Sequence, residues 1–410
     1  MGREFLHLTP VDEALALFRT HFPAPLAGPE SVPLERALDR VLAAPVTASE
    51  DLPAWPRATV DGFAVQAKSV RGAAPTRPTY LKLAGEVAMG QAAAVAVGAG
   101  ECVRIATGGM LPAGADAVVM VEHTDLLDPG TVEIGRAASE WEGVNRAGED
   151  FRAGQLLLPA GTRLRPTEIA VLAAAGVAQV SCARTLTAAL ISTGDELVPA
   201  AQVPAPGQVR DVNAPALAAC LARAGLAPTA LGLFPDDRAR LGAALARGLE
   251  SYDVVLISGG SSVGAADHTY DLLQALGAPG VFVHGLAIKP GKPTLLAKAR
   301  GKPVFGLPGH PASSLVIFAA VVAPCLAHLT GSRARPRTAW AAMARPVRSG
   351  PGKDEYVKVR LVGEAAGFRA EPLFGQSGNV LALARADGLV RIPLDSEGLV
   401  EGEVVEVELL

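Results

Sequence analysis

The sequence predicts a multidomain α/β plus β protein, with a central three-layer α/β/α domain, a β-rich insertion in the N-terminal part and a small C-terminal β-barrel. Three observations carry the prediction. The chain has 410 residues, well past the ~250 to 300 at which a single core stops growing. From Thr187 onward apolar runs alternate with helix-spaced segments, the βαβ texture of a largely parallel sheet. Between Leu52 and Ile134, and again after the Arg333–Arg337 run, short alternating segments are divided by Gly and Pro turns.

Taken in order, Val11, Leu15 and Phe18 recur at helix spacing after Thr9 and Pro10, and a second helix is expected from Pro33 through Leu34, Leu38 and Leu42. Prolines 45, 53 and 56 then break the pattern. Strands are expected at Tyr80 to Leu83, Cys102 to Ile105 and Ala117 to Val121, and a helix from Pro166 to Ala175 that Gly176 ends. TAALIST, Ala214 to Ala224, ALGLF, Arg238 to Leu249 and DVVLIS alternate strand with helix, and a helix is expected over about Pro311 to Leu329. RARPR (Arg333 to Arg337) reads as a linker to strands such as YVKVRL and EVVEVEL, which suit a small barrel or sandwich. The expected domains are 1–51 with 146–185, then 52–145, 186–333 and 334–410.

Hydrophobic residues make up 50% of the chain and charged residues 19%, enough to fill large cores, while aromatics at 4% leave those cores to Ala, Leu and Val. A net charge of −4 argues against nucleic acid or an anionic membrane as partner, because both need clustered cations. Cys102, Cys182, Cys220 and Cys325 are dispersed, without CxxC or paired His spacing, so buried thiols are expected rather than zinc or disulfides. Met1 to Pro10 lacks the apolar core of a signal peptide. Leu315 to Ala327, interrupted by Pro324, falls short of the ~20 residues a bilayer span requires, so a cytoplasmic location is expected.

The chemistry concentrates where strands end. In YDVVLISGGSSVGAAD a buried strand runs into Ser258, Gly259, Gly260, Ser261, Ser262 and Gly264, a loop whose amides and hydroxyls can cradle a phosphate. Its GGxxxG spacing fits neither the dinucleotide fingerprint nor a P-loop. STGDEL sets Thr193, Gly194, Asp195 and Glu196 at the end of another strand, where carboxylates suit a divalent cation, acid–base work or helix capping. Strands of one parallel sheet bring both loops to one crevice. AIKPGKP aims Lys289 and Lys292 from one tight turn, a pair suited to an oxyanion, and GLPGHPAS follows with Pro308, Pro311 and the Ser313 hydroxyl. Asp61, Arg104, Thr107, Arg146, Glu149 and Asp150 are individually weak signals in the β-rich half. His123, His268, His284 and His310 lack ligand spacing and read as surface or packing residues.

Together DLPAWPRATVDGFAV, ECVRIATGGMLPAGADAVVMVEHT, NRAGEDFRAGQLLLPAGTRL, ALISTGDELV, QVRDVNAPAL, DVVLISGGSSVGAADHT, AIKPGKPTLLA and GLPGHPASS resemble, in this order and over nearly the whole chain, the molybdopterin molybdenumtransferase (MoeA) family, related to the C-terminal part of gephyrin. The resemblance implies a cytoplasmic homodimer that inserts molybdate into adenylylated molybdopterin and releases AMP with the help of Mg2+. It carries functional acids to Asp61, Asp150, Glu196, Asp236 and Asp267 and a cleft threonine to Thr107. Glu196 and Asp267 are the implied magnesium ligands. It carries the molybdate pocket to Lys289, Lys292 and Ser313, with Arg360 and Ser377 as further members from the C-terminal domain and Pro308 and Pro311 as its frame. Other cofactor-synthesis proteins are the implied macromolecular partners.

The chain departs from the family pattern at Gly285, where one subset has a lysine, at His310 for a common Asn, at His268 for a common Tyr, and in WPRATVDGFA around Asp61. Two other readings stand beside the transferase: a non-catalytic molybdopterin-binding or scaffold protein, and the adenylyltransferase that makes the AMP ester. The acids disfavour a pure binder, since carboxylates beside a phosphate repel it unless a cation intervenes. Tungstate in place of molybdate is equally compatible with the residues.

Overall fold

The structure, a computed structural model, describes residues 8–259, 263–365, 367–375 and 380–410, with the side chains of 263–268 outside that description. Its centre is a six-stranded sheet. Thr187–Thr193, Ala227–Phe234, Val254–Gly259 and Lys302–Leu307 run parallel, and Leu295–Ala299 and Gly280–His284 extend one edge antiparallel. Side-chain alternation explains why these strands read as unbroken apolar runs, because both faces are covered. Ala188, Leu190, Val254 and Leu256 pack with α1 (Val11–His21), α3 (Asn213–Arg223) and the helical run after Pro311. Ala189, Ile191, Val255 and Ile257 pack on the other side with Leu241 and Leu245 of α4 (Arg238–Ser251) and Leu273 of α5 (Val263–Ala275). The predicted three layers are therefore present.

The chain adds Ala227–Phe234 on one side of Thr187–Thr193 and then crosses back to place Val254–Gly259 on the other. That reversal opens a crevice beyond the carboxyl ends of the 187–193 and 254–259 strands, the place where open α/β sheets hold ligands.

The N-terminal residues differ from expectation in one element. α1 forms as predicted and α2 (Pro166–Ala174) ends at Gly176 with φ 72°. The second predicted helix does not form: Pro29–Pro33 is a strand paired with Gln179–Ala183, and only Leu34–Arg36 makes a 3-10 turn. The reason is where the backbone amides go. Leu34 N–H donates to Ala178, Asp39 to Leu164 and Leu42 to Thr162, all far along the chain, and Asp39 at φ 63° ends any helix. Val46–Thr47 pairs with Leu156–Leu158 in the same way. Between them lies a six-stranded sheet in the order Ala117–Met120, Gly62–Val65, Glu101–Ile105, Thr79–Glu86, Thr131–Ile134, Thr124–Asp128.

The helical run Pro311–Thr330 is 20 residues long and apolar enough by length and composition to cross a membrane, longer than the apolar stretch that the sequence suggested, and 67% of its most apolar window is buried inside the protein. It comprises α6 (Pro311–Ile317), a π segment (Phe318–Val322) and α7 (Ala323–Thr330). Pro324, which has no N–H to donate to the preceding turn, sits next to the π segment. Gly331 closes α7 in the left-handed conformation.

The C-terminal strands Asp354–Glu364, Gly367–Pro372, Thr338–Met343, Val404–Leu409 and Gly388–Ile392 pair in that order and return to the first, a closed five-stranded barrel. Two devices seat it on the central unit. Ile288–Lys289 pairs in parallel with the start of Asp354–Glu364. The Arg391 guanidinium donates to Asp354, which is fully buried, at 2.9 and 3.2 Å, and to Asp12 of α1 at 2.9 Å.

Candidate active site

Thr193 and Gly259 are register partners at the carboxyl ends of adjacent strands. Gly259 has φ +113°, and a Cβ there would lie 1.9 Å from the Thr193 carbonyl oxygen, so only glycine fits at this strand end. The buried Thr193 hydroxyl donates to Asp236 Oδ1 at 2.8 Å, and the Asp236 amide donates to Asp195 Oδ1 at 3.1 Å. Glu196 folds back over the strand end, where a Cβ on Gly194 would meet its Oε2 at 2.7 Å. Asp195, Glu196 and Asp236 thus form an acidic rim on one side of the crevice. Gly260, Ser261 and Ser262 lie outside the described residues, as does the side chain of Asp267. Gly264 is in the first turn of α5.

A further residue, given no role from the sequence, is tied to the same strand end. Asn213, the first residue of α3 and 7% exposed, donates from Nδ2 to Ser258 Oγ at 2.7 Å and to the Gly309 carbonyl at 2.8 Å. One amide group therefore ties the Val254–Gly259 strand to the Pro308–Pro311 turn. Buried Asp211 secures it, accepting from the amides of Asn213 and Ala214 at 3.0 and 3.1 Å. The available signal was the D-x-N-A-P helix start in QVRDVNAPAL.

The lysine turn is held from below. Gly291 has φ +116°, and a Cβ on it would lie 2.5 Å from Ile317 of α6, so the turn rests directly on the helix that carries Ser313. Lys292 is exposed. Lys289 Nζ lies 2.7 Å from Glu355 Oε1, a residue of the barrel absent from the sequence-derived site. Pro308 and Ser313 are buried, His310 is exposed at the N-cap of α6, and next to Ser313 the Ser314 hydroxyl is buried with no hydrogen-bond partner among the described residues.

Other predicted site residues lie elsewhere. Asp61 Oδ1 accepts from the Thr107 amide at 2.7 Å and the Thr107 hydroxyl at 2.9 Å. Those bonds, the amide first, hold its carboxyl below the ordinary range. Asp150 is exposed beside the Leu52–Pro53 turn. Among the described residues no hydrogen bond or ion pair joins Asp61, Thr107 or Asp150 to the crevice. Arg360 is bound to Glu371 at 2.5 Å and, with Arg345 and Arg385, lines a separate cleft of about 560 Å³ in the barrel. Ser377 lies outside the described residues. No three His, Cys, Asp or Glu among the described residues form a metal-binding group.

Comparison with known proteins matches this arrangement along the chain. Residues 9–176 match the MoeA N-terminal region (domain I and II), 189–328 a probable molybdopterin binding domain and 341–410 the MoeA C-terminal region (domain IV). The molybdopterin molybdenumtransferase of Nostoc sp. is 34% identical, with 92% of this chain and 88% of that protein covered. The chain belongs to the MoeA family. The molybdopterin molybdenumtransferase of Staphylococcus aureus (strain Mu50) is 31% identical over 92% of this chain and 90% of that one. Among solved structures, a molybdopterin biosynthesis MoeA protein from Pyrococcus horikosii aligns with TM-score 0.80 at 37% identity, covering 98% of this chain and 99% of its own. A second, from Pyrococcus horikoshii OT3, aligns with TM-score 0.85 at 28% identity, covering 98% and 100%. The acidic rim, the Asn213 tie and the lysine turn all lie in or against the part matched to the molybdopterin-binding family.

Proposed function

We propose that this MoeA-family chain is a transferase of molybdenum cofactor biosynthesis that inserts molybdenum, delivered as molybdate, into molybdopterin. The observation that carries the reading is the crevice at the strand reversal, with a Gly-only strand end, an acidic rim on one side and a lysine turn seated on α6 on the other.

The finer roles are part of the proposal. The substrate is adenylylated molybdopterin, whose phosphate-bearing part binds along the loop from Ser258 through Gly264. Because Ser258 Oγ accepts from Asn213, its hydroxyl hydrogen is directed to another acceptor, and the substrate phosphate supplies one. Lys289, Lys292 and Ser313 hold molybdate, a tetrahedral dianion that a pair of cations and a hydroxyl suit. Arg360 and Ser377 belong to an outer approach rather than to the lysine turn. Asp61, Thr107 and Asp150 serve the crevice of the other subunit in a cytoplasmic homodimer, where Asp61 is kept ionised by Thr107. Contacts with other cofactor-synthesis proteins are compatible with this assembly.

Magnesium fits the rim chemically, since Glu196, with Asp267 as second ligand, offers the hard carboxylate oxygens that magnesium takes one or two at a time beside substrate phosphates. When bound, the cation would offset phosphoanhydride charge as AMP leaves. Asp236 and Asp195 orient the rim through Thr193 and the strand backbone.

The test supplies purified protein with adenylylated molybdopterin, magnesium and molybdate, and with tungstate in parallel. Stoichiometric AMP with metallated pterin supports the transferase and reports the metal preference. Tight binding without AMP release moves the chain to the scaffold class, and ATP consumption moves it to the adenylyltransferase.

A further inference from the structure

Lys289 is already neutralised in this structure. Strand register places it opposite Glu355 across the junction between the central unit and the barrel, and its ammonium lies 2.7 Å from the Glu355 carboxylate. The two partners are held unequally. The Glu355 side chain is 12% exposed and also accepts from the Ser349 hydroxyl at 2.9 Å, whereas the Lys289 side chain is 56% exposed. The carboxylate is fixed by its surroundings, and the ammonium reaches it from solvent.

An oxyanion approaching Lys289 therefore meets a cation whose charge is offset, with a like charge beside it. We propose that Glu355 is the resident counter-anion of the lysine turn, a positioning residue that holds Lys289 while no oxyanion is bound and yields it to the arriving dianion. This rests on the reading of Lys289 as an oxyanion-binding lysine. Two consequences follow from the charges. Affinity for the free oxyanion is kept low enough that it can leave the turn for the pterin sulfurs. Capture also exchanges an ion pair between the central unit and the barrel for an ion pair with the ligand, so the junction loosens as the oxyanion binds.

The experiment titrates molybdate, with sulfate in parallel, onto the full-length protein and its Glu355→Gln, Glu355→Ala and Lys289→Met variants. Thermal melts run alongside, and Glu355→Gln retains a group that can accept from Ser349. Removing one unit charge from beside a dianion in a partly screened setting corresponds to about tenfold in Kd. Both Glu355 variants are expected to bind molybdate and sulfate about tenfold more tightly and to release them more slowly, a gain that a merely structural residue would not produce. Lys289→Met is expected to weaken binding and to abolish the gain when combined with Glu355→Gln. If Lys289→Met weakens binding while both Glu355 variants bind as the wild type does or less tightly, the counter-anion role is overturned and the lysine assignment stands. If Lys289→Met binds as the wild type does, the lysine assignment fails and the counter-anion role fails with it.

Discussion

Replacing Asn213 tests whether one amide group ties the end of the Val254–Gly259 strand to the Pro308–Pro311 turn. In Asn213→Ala the donors to Ser258 Oγ (2.7 Å) and the Gly309 carbonyl (2.8 Å) vanish from a site where Asn213 and Ser258 are 7% and 3% exposed. Each acceptor left without its donor costs about 1 to 2 kcal/mol, so urea denaturation should show a loss of about 2 to 4 kcal/mol. Asn213→Asp keeps the volume and changes the chemistry. A carboxylate cannot donate to Gly309, it accepts the Ser258 hydroxyl hydrogen, and it sets a negative charge beside a phosphate site. The Ala variant loses the donor that directs that hydroxyl but leaves it able to reach the substrate. The KM for adenylylated molybdopterin should therefore rise from wild type to Ala and again from Ala to Asp. A stability loss under about 0.5 kcal/mol in the Ala variant, or an Asp variant with wild-type KM, would refute the tie.

Three further expectations concern other parts of the molecule. Arg391→Ala strands the fully buried Asp354 carboxylate, and denaturation should reveal a loss of about 3 kcal/mol, with a change below about 0.5 kcal/mol counting against the lock between barrel and α1. The Arg184 guanidinium, then burial in opposition and the Thr187 bonds, set the Asp253 carboxyl, which ends up lowered to about 2. A depressed carboxyl stabilises above its unfolded value and loses that contribution as pH falls through its folded one. Arg184→Met should cost about 1 kcal/mol at neutral pH, the partly exposed guanidinium being screened, and its deficit should shrink between about pH 4 and pH 2. A deficit that is constant with pH would contradict the pairing. Thr107→Val removes the hydroxyl donor to Asp61 and spares the amide, so the Asp61 carboxyl followed by NMR should titrate higher than in the wild type. An unmoved titration would remove the hydroxyl from the account.

What the sequence disclosed about the fold was what local patterning determines. ALIS and VVLIS read as buried parallel strands because helices cover both sheet faces, and that requirement is written into consecutive residues. Leu34, Leu38 and Leu42 carry an equally local helix pattern, yet the segment is not a helix. Its amides are taken by carbonyls of Ala178, Leu164 and Thr162, partners that no window around Leu38 contains. The same division runs through the candidate site. The glycine at 259 and the turn holding Lys289 and Lys292 are legible as chain punctuation. Asn213 is joined to Ser258 and Gly309 across 45 and 96 residues, and such contacts exist only once the sheet has assembled.

Strand register also decides which barrel residue meets the lysine turn. Resemblance assigned Arg360 to the molybdate pocket, as a further cation for the oxyanion. The parallel pairing puts Lys289 opposite Glu355, five positions before Arg360 on the same strand. At ~3.3 Å per residue Arg360 lies about 16 Å further along. There it is engaged by Glu371 and faces Arg345 and Arg385. Five positions is also an odd offset, which turns Arg360 to the opposite face of the strand from Glu355, so the register does not bring Arg360 to the lysine turn. The barrel is tied to the central unit by Arg391, through Asp12 and Asp354, and by Glu355, through Lys289. Both contacts rest on a cation, but the Arg391 guanidinium is shared by two carboxylates, one of them fully buried, whereas the Lys289 ammonium is 56% exposed and reaches Glu355 from solvent, so an arriving anion would compete for the second more readily.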